Sequence, residues 1–138
     1  MRTALAVILG FLAGLTALVV TAYAGDRLFP TQAARVPGGP IEQATAALIN
    51  APAGALLFIA LSWLVGGLVA GAVGKWFSDT SAGAWGAVTV LTVLTVSNIF
   101  IAPFPVWLEI ASVAAPLIGG LIGSHLAPVR TAVPGGPA

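Results

Sequence analysis

Apolar residues fill four long stretches of this chain, at residues 4–24, 53–76, 82–102 and 105–126. Each stretch contains roughly 20 residues, and a helix of that length crosses the ~30 Å hydrocarbon core of a membrane. Their interiors carry almost no charge, and Glu109 is the exception. The pattern predicts an all-α integral membrane bundle of four transmembrane helices.

The connections between these stretches differ in length and composition. Residues 1–127 form a single four-helix transmembrane domain in this interpretation, and the Pro/Gly-rich residues 128–138 form a flexible tail. The first connection is the longest, and in it Ile41, Ala44, Leu48 and Ile49 share one helical face. That spacing predicts a short amphipathic helix in the first external loop, with an irregular loop as the alternative.

Two short turns predict that the second, third and fourth helices are sequential antiparallel neighbours. Asp79 or a neighbouring hydroxyl is placed to cap the third helix. Pro103 and Pro105 enforce a tight turn before the fourth helix, because proline lacks an amide donor and restricts the residue before it.

The amino-terminal stretch has two interpretations. A basic Arg2, an apolar centre and the small-x-small run at 22–24 are typical of a cleaved signal peptide. The apolar run is longer than a usual signal core, so we expect an uncleaved first transmembrane helix.

Basic residues indicate the orientation, because those in short loops tend to remain cytoplasmic. Arg2, Lys75 and Arg130 lie on one side of the predicted topology, and Arg27 and Arg35 lie on the other. The imbalance predicts a multi-pass protein with both termini in the cytoplasm.

Composition excludes several classes of function. The net charge of +1 provides no basic patch for nucleic acid. The chain has no cysteine and one histidine, His125, so no thiolate or multi-histidine metal site is expected. We therefore predict no metal, no cofactor and no enzymatic activity, because a nucleophile, base or metal set cannot be assembled from these residues.

Small residues are spaced for close helix packing, which contributes much of the association between helices in lipid. Two alternatives fit them: packing within the bundle, or contact with a second copy or with other membrane subunits. Three Gly-x-x-x-Gly pairs have this spacing, namely Gly10 and Gly14, Gly67 and Gly71, and Gly119 and Gly123.

Polar residues inside the spans are the candidates for function. Thr89, Thr92, Thr95 and Asn98 form a seam along the third helix, and the Asn98 amide is expected to need a partner on another helix.

Glu109 lies near the start of the fourth helix, on the same small and polar face as Ser112 and Pro116. It is either a coupling acid or a structural partner of Asn98, Arg27 or Arg35. Pro116 is expected to kink the helix because it cannot donate to the Ser112 carbonyl.

The run from Asn50 to Ala55, then Trp63 and Gly66-Gly67, and finally Asn98 and the 103–107 segment PFPVW resemble small bacterial four-helix inner-membrane proteins of unassigned function. The chain departs from that group before Phe29-Pro30, where Tyr23 and Asp26 replace an acid and a histidine. The resemblance implies a bacterial inner membrane and lends no activity.

Two functional hypotheses follow. The first is an accessory or structural subunit that packs against itself or within a larger membrane complex. The second is a small channel or proton-coupled transporter that uses Glu109, as an oligomer.

Overall fold

The protein is all-helical in the part of the chain that the computed structural model describes, which covers residues 2–30, 39–78, 80–100 and 104–128. A short 3₁₀ turn, Asn98–Phe100, follows the fourth of five α-helices. The helices are α1 (Arg2–Leu28), α2 (Pro40–Ile49), α3 (Ala53–Trp76), α4 (Ser81–Ser97) and α5 (Val106–Leu126). Four spans are long and apolar enough to cross a membrane, namely α1, α3, α4 together with the 3₁₀ turn, and α5, which confirms the predicted bundle of four transmembrane helices.

The helix boundaries follow the prolines. Pro52 and Pro105 are the N-caps of α3 and α5, where the missing amide hydrogen removes no helical bond. α1 is longer than the predicted 4–24 and ends just before Phe29 and Pro30. The predicted end of the third span at 101–102 and the tail beyond Pro128 lie outside the described residues.

The first loop contains a helix, α2, at the predicted place. Of its predicted apolar face, the Ile49 side chain is exposed, and the side chains of Ile41 and Ala44 lie outside the described ones. The amphipathic character of α2 therefore stays a prediction.

The two central helices are α3 and α4, and α1 and α5 flank them. α1 packs against both α3 and α4, and so does α5, whereas α1 and α5 make no extensive contact with each other. The bundle has a terminal end, where α1 begins and α5 ends, and a loop end, where α1 ends and α5 begins. α3 and α5 run parallel to each other and antiparallel to α1 and α4.

The α3–α5 crossing is made by glycines from both helices. A β-carbon built at Gly67 would overlap the backbone of Pro116, and one at Gly71 would overlap Gly120. In return, β-carbons at Gly119 and Gly123 would overlap the carbonyl oxygens of Leu64 and Leu68. The two pairs therefore interlock, and the backbones approach as closely as small residues permit.

The third glycine pair lies where α1 meets α3. A β-carbon at Gly14 would lie 2.6 Å from the carbonyl oxygen of Gly66, and one at Gly10 would lie 2.9 Å from that of Ala70. All three Gly-x-x-x-Gly pairs thus face helices of the same chain. They are occupied by packing within the bundle and present no open face to a second molecule.

The turn between α3 and α4 is organised by a different residue from the one expected. Thr80 is the N-cap of α4 but makes no side-chain cap, and Asp79 lies outside the described residues. The Ser78 hydroxyl instead donates to the Thr80 carbonyl at 2.7 Å and accepts from the Thr80 amide at 3.1 Å. Thr80 therefore does not form the expected hydroxyl cap, and the bonds of Ser78 shape the turn without reaching the first amides of α4.

We expect Gly67→Ile to destabilise the bundle, because the added side chain would force Pro116 and its helix away from α3. Overpacking of this kind costs about 1–3 kcal/mol. The measurement is unfolding in mixed micelles, followed by helical circular dichroism. Leu61→Ile is the matched control, since Leu61 lies on the outer surface of the same helix. Equal stability of the two variants would contradict the assignment of this crossing.

Candidate functional site

Pro116 lies in the middle of α5 and is buried. Because proline has no amide hydrogen, the carbonyl oxygen of Ser112 receives no helical hydrogen bond from it. An unpaired carbonyl at membrane depth is costly, since lipid chains offer no donor. The Ser112 carbonyl therefore needs a hydrogen-bond donor other than the backbone amide of residue 116.

Thr95 of α4 supplies that donor. Its hydroxyl lies 2.8 Å from the Ser112 carbonyl oxygen and 2.9 Å from the carbonyl oxygen of Thr92 in its own helix. The hydroxyl has one hydrogen, so the two carbonyls share it. Thr95 is 1% exposed, which keeps water and lipid away from this interhelical bond.

A further hydrogen bond lies within α5, toward the loop end of the bundle. The Ser112 hydroxyl donates to the carbonyl oxygen of Glu109 at 2.7 Å, and Ser112 is fully buried. Thr95, Ser112 and the Glu109 backbone are thus linked by consecutive hydrogen bonds. We call these three residues the Thr95 chain.

The remaining members of the predicted polar seam stay out of the Thr95 chain. Thr92 is partly buried, and its hydroxyl donates to the Val88 carbonyl oxygen at 2.8 Å. The expectation that Asn98 needs another helix is wrong, because its amide donates to the Leu94 carbonyl oxygen at 3.0 Å. Asn98 is exposed at the end of α4, where a bond one turn back within the helix satisfies it.

Glu109 is half-buried in the first turn of α5, at the loop end of the bundle. Among the described residues, no hydrogen bond or ion pair reaches its carboxylate. A negative charge in this turn is favoured by the unpaired amides at the helix N-terminus. About one turn of helix separates Glu109 from the start of α5, so its carboxylate can reach interfacial water.

Two of the three predicted partners of Glu109 are bonded elsewhere. The Arg27 guanidinium donates to the Tyr23 hydroxyl and lies 5.0 Å from the centre of the Tyr23 ring. Asn98 bonds to Leu94 as described above. Arg35 lies outside the described residues, so that pairing stays a prediction.

A contact between two aromatic rings lies beside the start of α5. Trp63 is buried, as expected for a residue that packs against a neighbour, and its ring meets Phe104 edge to face at 6.1 Å. Leu108 and Ala115 of α5 pack in the same cluster. The pairing of Trp63 with Phe104 could not be predicted, because the two residues are 41 positions apart and neither belongs to a repeated pattern.

The buried hydroxyls are all bonded within the bundle. Ser62 donates to the Ile59 carbonyl and Ser124 to the Leu121 carbonyl. Within the described ranges, no buried side-chain nitrogen or oxygen lacks a partner, and no three His, Asp or Glu residues lie close enough to hold a metal. His125 is exposed near the terminal end.

The chain was compared with known protein families, curated proteins and solved structures, and none of them matches. The resemblance to small bacterial four-helix proteins therefore stays a prediction. What the residues of the Thr95 chain can do chemically follows from the geometry alone. The bond from the Thr95 hydroxyl to the Ser112 carbonyl joins α4 to α5, the bond from Ser112 to the Glu109 carbonyl lies within α5, and Glu109 is the acidic residue beside them.

We expect Thr95→Val to destabilise the bundle by about 1–2 kcal/mol, because an isosteric side chain leaves the Ser112 carbonyl unpaired. Thr95→Ser should retain most of the stability, and Thr92→Val, which removes a bond within one helix, should cost less. The measurement is again unfolding in mixed micelles.

A double-mutant cycle isolates the cause. Pro116→Ala restores the amide that can donate to Ser112, so Thr95→Val should cost less in that background. If Thr95→Val lowered the stability equally in both backgrounds, Thr95 would not compensate for the missing amide of Pro116.

Proposed function

We propose that this chain is an accessory or structural integral membrane protein that acts by helix packing, with itself or within a larger membrane complex. The observation that carries the proposal is how the buried hydroxyls of the described residues are used. Four of them donate to helix carbonyls of the same bundle, namely Ser62, Thr95, Ser112 and Ser124, and Ser78 donates to the Thr80 carbonyl in the turn before α4. These hydroxyls therefore support the fold and are not left to bind a ligand. The proposed role is non-enzymatic.

A second candidate function rests on Glu109. The Glu109 side chain is half-buried and its carboxylate has no partner among the described residues, and an acidic residue inside a membrane span is by default a candidate for function. The chain would then be a small channel or proton-coupled transporter, assembled as an oligomer. The shallow position of Glu109 at one end of α5 supports the first proposal more than this one.

The proposed location is a bacterial inner membrane with both termini in the cytoplasm. Arg2 and Lys75 lie at the terminal end of the bundle and Arg27 at the loop end, and this excess of basic residues supports an orientation with the terminal end inside. The partners proposed for this location are the lipid bilayer and other membrane subunits or a second copy.

Glu109→Gln separates the two candidate functions, because it keeps the shape of the side chain and removes the titratable charge. In reconstituted vesicles with an imposed proton gradient, we expect no proton-driven flux from the wild-type protein or from the variant. Native mass spectrometry of the tagged wild-type protein in mild detergent should show a stoichiometric complex. Flux with the wild type and none with Glu109→Gln would replace the structural proposal by the transporter.

The orientation is tested by reporter fusions. Alkaline phosphatase fused after Arg130 should be inactive, because the cysteines of that enzyme stay reduced in the cytoplasm. The same enzyme inserted near Pro37 should be active. A cytoplasmic reporter at the same two sites is the control and should give the opposite pattern. Activity of alkaline phosphatase at both sites would indicate that the chain inserts in two orientations.

A further inference from the structure

The peptide bond between Ala24 and Gly25 follows the residues that a leader peptidase recognises. Small residues at positions 22 and 24, after a basic start and an apolar run, are typical of the site at which a secretory leader is removed. At ~1.5 Å rise per residue, Ala24 lies about 33 Å from Arg2, at the loop end of the bundle. In the proposed orientation this end faces the outer side of the membrane, where secretory leaders are removed.

The structure holds this bond inside a helix. α1 continues to Leu28, and the Phe29 amide donates to the Gly25 carbonyl oxygen at 2.8 Å. The Arg27 guanidinium donates to the Tyr23 hydroxyl, which bridges the same turn from the outside. Proteases cut segments that have opened locally, so this turn has to unwind before the bond can be hydrolysed.

Packing from α3 covers the same turn. Gly25 is buried, and a β-carbon built on it would lie 2.7 Å from the β-carbon of Phe58. In return, a β-carbon at Gly54 of α3 would lie 2.5 Å from the Phe29 ring. The centres of the two rings are 5.8 Å apart. We call Gly25, Phe29, Gly54 and Phe58 the Phe29–Phe58 contact.

The helical state of this turn depends on that contact. Glycine is the weakest helix former after proline, because it loses the most backbone freedom on folding, and Gly25 lies directly after the bond. Ala24 is exposed, so burial of the recognised side chain does not protect the bond. The protection therefore comes from the packing of Phe58 over Gly25.

The residues before the bond belong to the bundle. Gly10 and Gly14 are buried in α1 and lie against the backbone of α3 at Ala70 and Gly66. Cleavage after Ala24 would remove this whole span and expose the small-residue surface of α3. α1 is therefore packed as a structural helix although it ends in a leader-like sequence.

We propose that the Ala24–Gly25 bond is a masked leader-peptidase site, which the Phe29–Phe58 contact protects in the folded bundle and which is cut in chains whose α1 and α3 fail to pack. In the reaction, water adds across the bond, which leaves a carboxylate on Ala24 and a new amino terminus at Gly25. This inference goes beyond the proposed function, because it requires the proposed orientation and the packing of α1 but no partner.

The test is expression of the full chain with a carboxyl-terminal tag in bacterial cells, with pulse labelling to capture short-lived products. Intact mass and amino-terminal sequencing of the membrane-bound protein show whether α1 is retained. The wild type should keep α1. Phe58→Ala leaves the recognised segment unchanged and should give at least several-fold more of a product that begins at Gly25. Leu57→Ala is the matched control, because Leu57 is the preceding residue and is 60% exposed.

Two further variants separate protection from recognition. Gly54→Leu opens the Phe29–Phe58 contact from its other side and should also be cut, because its side chain would displace the Phe29 ring. Ala24→Leu combined with Phe58→Ala should stay uncut, since a large residue before the bond removes the small-x-small pattern. Ala24 is exposed, so the larger side chain is tolerated there.

Cleavage of the wild type at this bond would overturn the proposal, and so would retention of α1 in both Phe58→Ala and Gly54→Leu, whether or not these variants fold. Cleavage of the Ala24→Leu double variant at the same bond would overturn the assignment to a leader peptidase. Retention of α1 in every variant, together with a stoichiometric membrane complex of the wild type, would leave the proposed function standing. The reporter fusions identify the case in which the orientation is wrong.

Discussion

The hydrogen bond from Thr95 to the Ser112 carbonyl is the interaction around which the bundle is organised. Pro116 leaves that carbonyl without its amide, and the surrounding lipid cannot replace it. The Thr95 hydroxyl does so from α4, which fixes the depth at which α4 and α5 meet. On the other side of the same proline, Gly67 lets the backbone of α3 approach. Pro116 therefore lies between the Thr95 bond that joins α5 to α4 and the close backbone contact that joins α5 to α3.

The rest of the packing follows from placing small residues inside and large ones outside. Glycine and alanine dominate the buried positions of α3, whereas leucine, isoleucine and valine lie on the outer surface of the bundle. In water this distribution would be unfavourable, but lipid accepts large apolar side chains without cost. The helices are then held by close backbone contact. The described buried hydroxyls are all bonded, and Glu109, which lies at the edge of the bundle, has no described partner for its carboxylate.

The sequence predicted the four spans well, because apolar length alone defines a helix that crosses a membrane. It also predicted the free Ser112 carbonyl, since that follows from one proline. It could not predict that Thr95 would be the donor, because the register between α4 and α5 depends on contacts between the two helices, such as that of Gly120 with Val88, which one sequence does not show. The four polar residues of the seam were interpreted as one feature, yet among them only the Thr95 hydroxyl forms a described hydrogen bond to another helix. The Asn98 prediction was wrong because a helix end offers an amide a carbonyl one turn back.

Glu109 at the edge of the bundle is connected to its centre by two hydrogen bonds. The Thr95 hydroxyl of α4 donates to the Ser112 carbonyl, and the Ser112 hydroxyl donates to the Glu109 carbonyl. The first of these bonds crosses between two helices, whereas the second lies within α5. Together they relate the first turn of α5, which carries Glu109, to the centre of α4.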